Sequence, residues 1–100
     1  MHGARAFACV LVAACAAPAP AGDIGHEAAR RLRHDGVILP LADIVSPLTA
    51  RWPGRVLETE LEHDDGRYVY EIELLGDDGK VYEFEIDAAT GERLDFEVDD

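Results

Sequence analysis

At Val56 the hydrophobic period of this chain changes from 3.6 residues to two, and it stays at two to the C-terminus. Leu57, Thr59 and Leu61 alternate with Glu58, Glu60 and Glu62, and Tyr68, Tyr70, Ile72 and Leu74 alternate with Val69, Glu71 and Glu73. Tyr82, Phe84 and Ile86 alternate with Glu83 and Glu85, and Leu94, Phe96 and Val98 with Asp95 and Glu97. Successive strand side chains point to opposite faces, so each stretch reads as a strand with oil on one side and acid on the other. The separators "HDDG", "GDDG" and "DAATG" supply the Asp and Gly that tolerate the positive φ of tight turns. Links this short join antiparallel neighbours. The expectation is a four-stranded antiparallel meander.

A sheet with one apolar face needs a cover. Leu41, Ile44, Val45, Leu48 and Trp52 fall on one stripe of a helix, which Pro53-Gly54 terminates. Pro47 lies inside that stripe, where its missing N–H predicts a kink, or a restart with Ser46 as cap. Upstream, Asp23 is placed to N-cap a short helix through "IGHEAARRLRH", with Gly36 just past its end. "VILP" follows as an extended connector. The fold class is therefore α+β: a four-stranded meander with one main helix and a short N-terminal helix on its apolar face. The expected core holds the five helix residues together with Leu57, Leu61, Tyr68, Tyr70, Ile72, Leu74, Tyr82, Phe84, Ile86, Leu94, Phe96 and Val98.

The first 21 residues do not share this patterning. One basic residue, Arg5, precedes the apolar run Ala6 to Ala17, and small residues stand at Ala19 and Ala21. That is the layout of a secretory signal peptide cut after Ala21. The run is shorter than the roughly 20 apolar residues that span a bilayer, and no transmembrane segment is expected. "VAAC", Val12 to Cys15, also resembles a bacterial lipobox, which would acylate Cys15 and anchor the protein to a membrane. The two readings place the mature protein free in the periplasm or at the envelope as a lipoprotein. Cys9 and Cys15 are the only cysteines, so no disulfide framework or thiolate metal site is expected. The organisation read is 1–21 leader, 22–38 short helix and connector, and 39–100 main domain.

Formal charge is −12, and loss of Arg5 with the leader takes it to −13. Seventeen of the 21 acids lie beyond Arg55. A surface this negative disfavours nucleic acid and anionic lipid and favours a cationic partner.

Enzyme motifs fail on inspection. "HEAAR", His26 to Arg30, begins like the zinc-protease signature His-Glu-x-x-His but carries arginine where the second ligand belongs. His34 and His63 are isolated and expected to be solvated. Ser46 precedes Pro47 and suits a cap better than a nucleophile. No glycine-rich phosphate loop exists, and an EF-hand register placing Gly79 at the glycine position puts Leu74 at the first ligand. No catalytic residue, cofactor site or metal ligand is assigned. The remaining candidate is the acidic face itself: Glu58, Glu60, Glu62, Glu71, Glu73, Glu83, Glu85 and Glu97. Nothing in the chain is left to bury it, so ordinary carboxylate pKa values are expected. Its plainest role is a solvated face that opposes aggregation. Like charges on neighbouring strands nevertheless repel, which motivates a basic partner, or arginines 30, 31 and 33 folding back onto the face. A looser cation site at the Asp64-Asp65 or Asp77-Asp78 turns is the alternative.

Taken together, the segment Leu39 to Leu94 resembles a PepSY domain. The resemblance rests on the helix ending Trp52-Pro53-Gly54, the acidic strand ending Glu60-Leu61-Glu62, and Asp65-Gly66 followed by a Tyr-x-Tyr-Glu-Ile strand. It continues with Asp78-Gly79-Lys80 and the closing Asp87-Ala88-Ala89-Thr90-Gly91-Glu92. It implies a helix packed on an antiparallel sheet, outside the cytoplasm. Such domains occur in propeptides of thermolysin-type proteases, in membrane-anchored assemblies and as small exported proteins. Protease inhibition has been proposed for them, and they bring no catalytic residues. Pro47 departs from the family's helix-favouring pattern. The function expected is a non-enzymatic binding or regulatory module that contacts an exported or membrane-anchored envelope protein, restraining a protease or modulating a sensor. The alternative is a cation-binding or structural envelope lipoprotein without a dedicated partner.

Overall fold

The structure, a computed structural model, describes residues 22–99. The leader, its cut after Ala21 and Cys15 lie outside them. In chain order the elements are β1 (Gly22–Asp23), α1 (His26–His34), α2 (Leu41–Arg51), β2 (Gly54–Asp64), β3 (Arg67–Gly76), β4 (Val81–Asp87) and β5 (Arg93–Asp99). The four expected strands form an antiparallel meander, and β1 adds a two-residue strand beside β2, giving the order β1-β2-β3-β4-β5.

The turns do what their residues predict. Asp65 and Gly66 both adopt positive φ, 52° and 73°, closing a two-residue hairpin that sets Asp64 opposite Arg67. Gly36, at φ 75°, ends α1: its N–H donates to the Arg33 carbonyl, and the Val37 N–H donates to that of Leu32 at 2.9 Å. The expected N-cap is different. Gly25 occupies that position in extended geometry, because Asp23 is held in β1 opposite Glu62. α2 runs unbroken through Pro47, so the restart at Ser46 does not occur; Ser46 is an exposed residue within the helix.

The core lies between the helices and one face of the sheet. Leu74, Phe84 and Ile72 are fully buried, joined by Ile44 and Leu48 of α2, Ala29 of α1, and Leu61, Tyr70 and Ile86 of the strands. The connector is sealed by side-chain and main-chain bonds: the Tyr70 hydroxyl donates to the Leu39 carbonyl at 2.9 Å, and the Leu39 N–H to that of Ala88 at 2.8 Å. Ile38 and Ala88 are buried as a result.

Four of the expected core positions are exposed. Leu57 is 44 % exposed, because a register shift between Val56 and Glu58 leaves it unpaired and turns Val56 inward. A second shift, between Glu85 and Ile86, places Arg93 opposite Ile86 and displaces Leu94 from the row. Phe96 and Val98 do face the helix side, opposite Phe84 and Tyr82, yet remain exposed. The helices are tethered at the other side of the sheet, through β1 and through the Ile24 N–H, which donates to the Leu61 carbonyl. Trp52, at the end of α2, reaches β5, with its ring centroid 5.3 Å from that of Phe96.

Candidate functional site

The register of the meander turns the alternating acids into a lattice. Glu58 lies opposite Glu73, Glu73 opposite Glu83, and Glu83 opposite Glu97. Two residues along, Glu60 lies opposite Glu71, Glu71 opposite Glu85, and Glu85 opposite Asp95. Two adjacent rows of four carboxylates thus cross the whole meander, with directly opposite side chains roughly 5 Å apart. The two-residue turn at Asp65-Gly66 sets the β2–β3 step of this alignment, since it fixes which β2 residue meets which β3 residue, and the two later turns set the rest. All eight carboxylates line one concavity of about 240 Å³.

The rows are bordered by different chemistry. On one side the same face carries Arg55, Leu75, Val81 and Asp99; on the other it carries Glu62, Val69 and Asp87. Arg67 reaches Asp87 at 3.5 Å. Glu62 therefore sits at the margin of the expected face. Asp95 belongs within it, although the sequence reading left it out; its parity with Glu97 carries the signal. Val69 is buried on this otherwise acidic side.

The lattice is wet but strained electrostatically. Glu60, Glu62, Glu71 and Glu73 are half-buried, and Glu58, Glu83, Glu85 and Glu97 are exposed. Glu71, at the centre, does not keep an ordinary carboxylate pKa: partial burial, then the charge of and hydrogen bond with Glu62, then Glu85 and Glu60, push it up to about 7. Glu85 is raised as well, by burial first and then by Asp95, Glu62, Asp64 and Glu97. The expectation of ordinary values fails at Glu71 and Glu85, where partial burial is reinforced by the acidic side chains around them.

The fold-back of arginines 30, 31 and 33 is not what the structure contains. Ile24, Ala29 and Leu32 pack α1 against the apolar core, which puts the helix on the side of the sheet away from the lattice. The histidines are solvated as expected: His34 lies 3.4 Å from the Asp35 carboxylate, and His63 stacks on Tyr68 across the β2–β3 pair. The Asp77-Asp78 turn uses the Asp78 carboxylate internally. Its Oδ1 accepts from the Lys80 N–H at 3.0 Å and its Oδ2 from the Tyr82 hydroxyl, which lowers its pKa. A grouping of potential ligands among the described residues lies instead at the margin of the lattice, where Glu60, Glu62 and Glu71 carboxylate oxygens come within 4.8 Å of one another.

This helix-on-meander geometry agrees with the outcome of comparison with known families. Residues 38–97 match the PepSY model, described as "Peptidase propeptide and YPEB domain". The chain belongs to the PepSY family. The match begins at Ile38, in the buried connector, and ends at Glu97, the last carboxylate of its row. The chain is also similar to the "Uncharacterized protein YkoJ" of Bacillus subtilis (strain 168), 45% identical over 47 residues. That alignment covers 47% of this chain and 28% of the relative, so the chain spans well under half of the protein it resembles. No solved structure matches. PepSY domains are propeptide-like or inhibitor-like modules rather than catalysts, are often exported, and suggest a protein-binding role. No helix among the described residues is long and apolar enough to cross a membrane.

Proposed function

We propose that this PepSY protein is an exported, non-enzymatic binding module whose carboxylate lattice receives a basic surface of another envelope protein, a protease to be restrained or a sensor to be modulated. The observation that supports this reading is the alignment of eight carboxylates in two cross-strand rows. Mutual repulsion across those rows costs stability in the free protein, and a cationic partner relieves it on binding. The half-burial of Glu71 and Glu73 strengthens the attraction, because charges there are less screened than on an open surface.

The test is binding of a cationic exported protein or peptide measured across a salt series. The expected result is affinity that falls as salt rises and is abolished by Glu71→Lys combined with Glu85→Lys. Salt-independent binding would overturn the reading. Export itself is tested by mass spectrometry of the mature N-terminus, where cleavage after Ala21 and acylation at Cys15 give different masses.

A second reading is favoured by the approach of Glu60, Glu62 and Glu71, whose oxygens could ligate a hard divalent cation. Calorimetric titration with calcium separates the two readings: heat that vanishes in Glu71→Gln supports the ion, and no heat retires it.

A further inference from the structure

β5 is the outer strand of the sheet, and all seven of its residues are exposed. An outer strand presents a row of unpaired N–H and C=O groups to any chain that can lie beside it. The two sides of β5 differ in chemistry. Phe96 and Val98 stand on the helix side, 36 % and 42 % exposed, with Phe96 beside Trp52. Asp95, Glu97 and Asp99 stand on the lattice side, opposite Glu85, Glu83 and Val81.

We propose that β5 is a docking edge for an extended segment of a partner protein in which basic and apolar residues alternate, added to the sheet as one more strand. The inference rests on the reading of the lattice as a receptor for positive charge, and it names where and in what conformation that charge arrives. A strand laid against β5 continues both carboxylate rows by one position, and the residues entering those positions face Asp95 and Glu97 directly. Basic side chains there meet the end of a row of four acids. The residues between them point to the helix side, where apolar groups cover Phe96 and Val98. Main-chain bonds supply affinity and the alternating side chains supply selectivity.

Two other occupants fit poorly. In a second copy pairing β5 with β5 antiparallel, the register centred on Glu97 sets Asp95, Glu97 and Asp99 against the same three acids, and registers shifted by two with the faces aligned still place acid opposite acid. That pairing lengthens both repulsive rows. Residues 1–21 join the sheet at Gly22, beside β2 at the opposite rim, and contain Arg5 as their one Lys or Arg.

The experiment titrates the full chain with three synthetic peptides of β5's length: lysine strictly alternating with valine, the same peptide N-methylated at every second amide, and a scrambled one of identical composition. Trp52, the sole tryptophan, reports from beside Phe96, and amide exchange reports on Asp95–Asp99. The expected result is binding of the alternating peptide with a Trp52 emission shift and slowed exchange along β5. The methylated and scrambled peptides should bind about tenfold more weakly or worse. Equal affinity for all three, without protection of β5, overturns the docking edge while leaving the electrostatic reading intact. Absence of binding by any of them overturns both. Dimerisation of the chain alone, with β5 amides protected, overturns the choice of partner.

Discussion

β3 and β5 have the same alternating pattern of apolar and acidic residues and opposite surroundings. In β3 the helix-facing residues Tyr70, Ile72 and Leu74 are sealed and even Val69 on the other face is covered, whereas every residue of β5 is exposed. The difference comes from position in the sheet. β3 has a partner on each side and helices above it, while β5 has one partner and the Trp52 ring beside Phe96. Alternation thus tells which residues share a face, and says nothing of whether anything covers that face.

The contrast can be broken most decisively in β3. Leu74→Ala should cost about 2–5 kcal/mol in chemical denaturation, since it empties a site that is completely enclosed. A cost below that of Val98→Ala would show that the two strands are not differently packed. Next is Gly54→Ala, where an added Cβ would collide with the Leu75 carbonyl oxygen and approach the Gly76 Cα to 2.8 Å. Both obstacles are main chain of β3 and cannot swing away, so a loss of about 1–3 kcal/mol is expected by the same assay. Tyr70→Phe removes the donor to the Leu39 carbonyl, and a loss of about 1–2 kcal/mol is expected, with faster amide exchange in the connector.

The fourth prediction concerns charge. Glu71 titrates near 7 when folded and at the ordinary 4.5 when unfolded, so between those values the folded chain holds a proton that the unfolded chain has released. Its contribution to stability is full below about 4.5 and is lost as pH rises through about 7. The melting temperature should therefore climb on acidification from about pH 8 to about pH 5. Asp78 works in the opposite sense: its lowered pKa favours the fold above 3.8, a benefit that disappears as pH falls below that value. Glu71→Gln should flatten the rise between pH 8 and 5 and stabilise the protein at the alkaline end. Asp95→Asn should act in the same sense more weakly, because it removes one of the charges that, after burial, raise the Glu85 carboxyl. The smallest effect is expected for Val98→Ala, within about 0.5 kcal/mol, as befits a largely solvated residue.

Much of this fold was legible because the strands and turns agree with each other at every step. The period-two stretches, the Asp-Gly turns and the Trp52-Pro53-Gly54 stop each specify the same meander. What escaped was local and tertiary. The bulges at Leu57 and Leu94 exchange faces without disturbing composition, so hydrophobicity alone cannot place them. β1 is two residues long and held by β2, and the burial of Ile38 and Ala88 depends on the bonds between connector and closing turn. The eight carboxylates of the candidate face were visible as a set apart from Asp95, but not as rows, since rows are a property of register.

The bulge in β2 has one more consequence. Sheets that grow into fibrils need two open rims, one to receive a neighbour and one to offer itself to the next. Here one rim is partly occupied by β1 and bulged at Leu57, while the other is bulged at Leu94 and pairs regularly only from Asp95 to Asp99. An incoming strand finds a terminus rather than a template, so a protein rich in alternating residues can accept a guest without seeding a polymer.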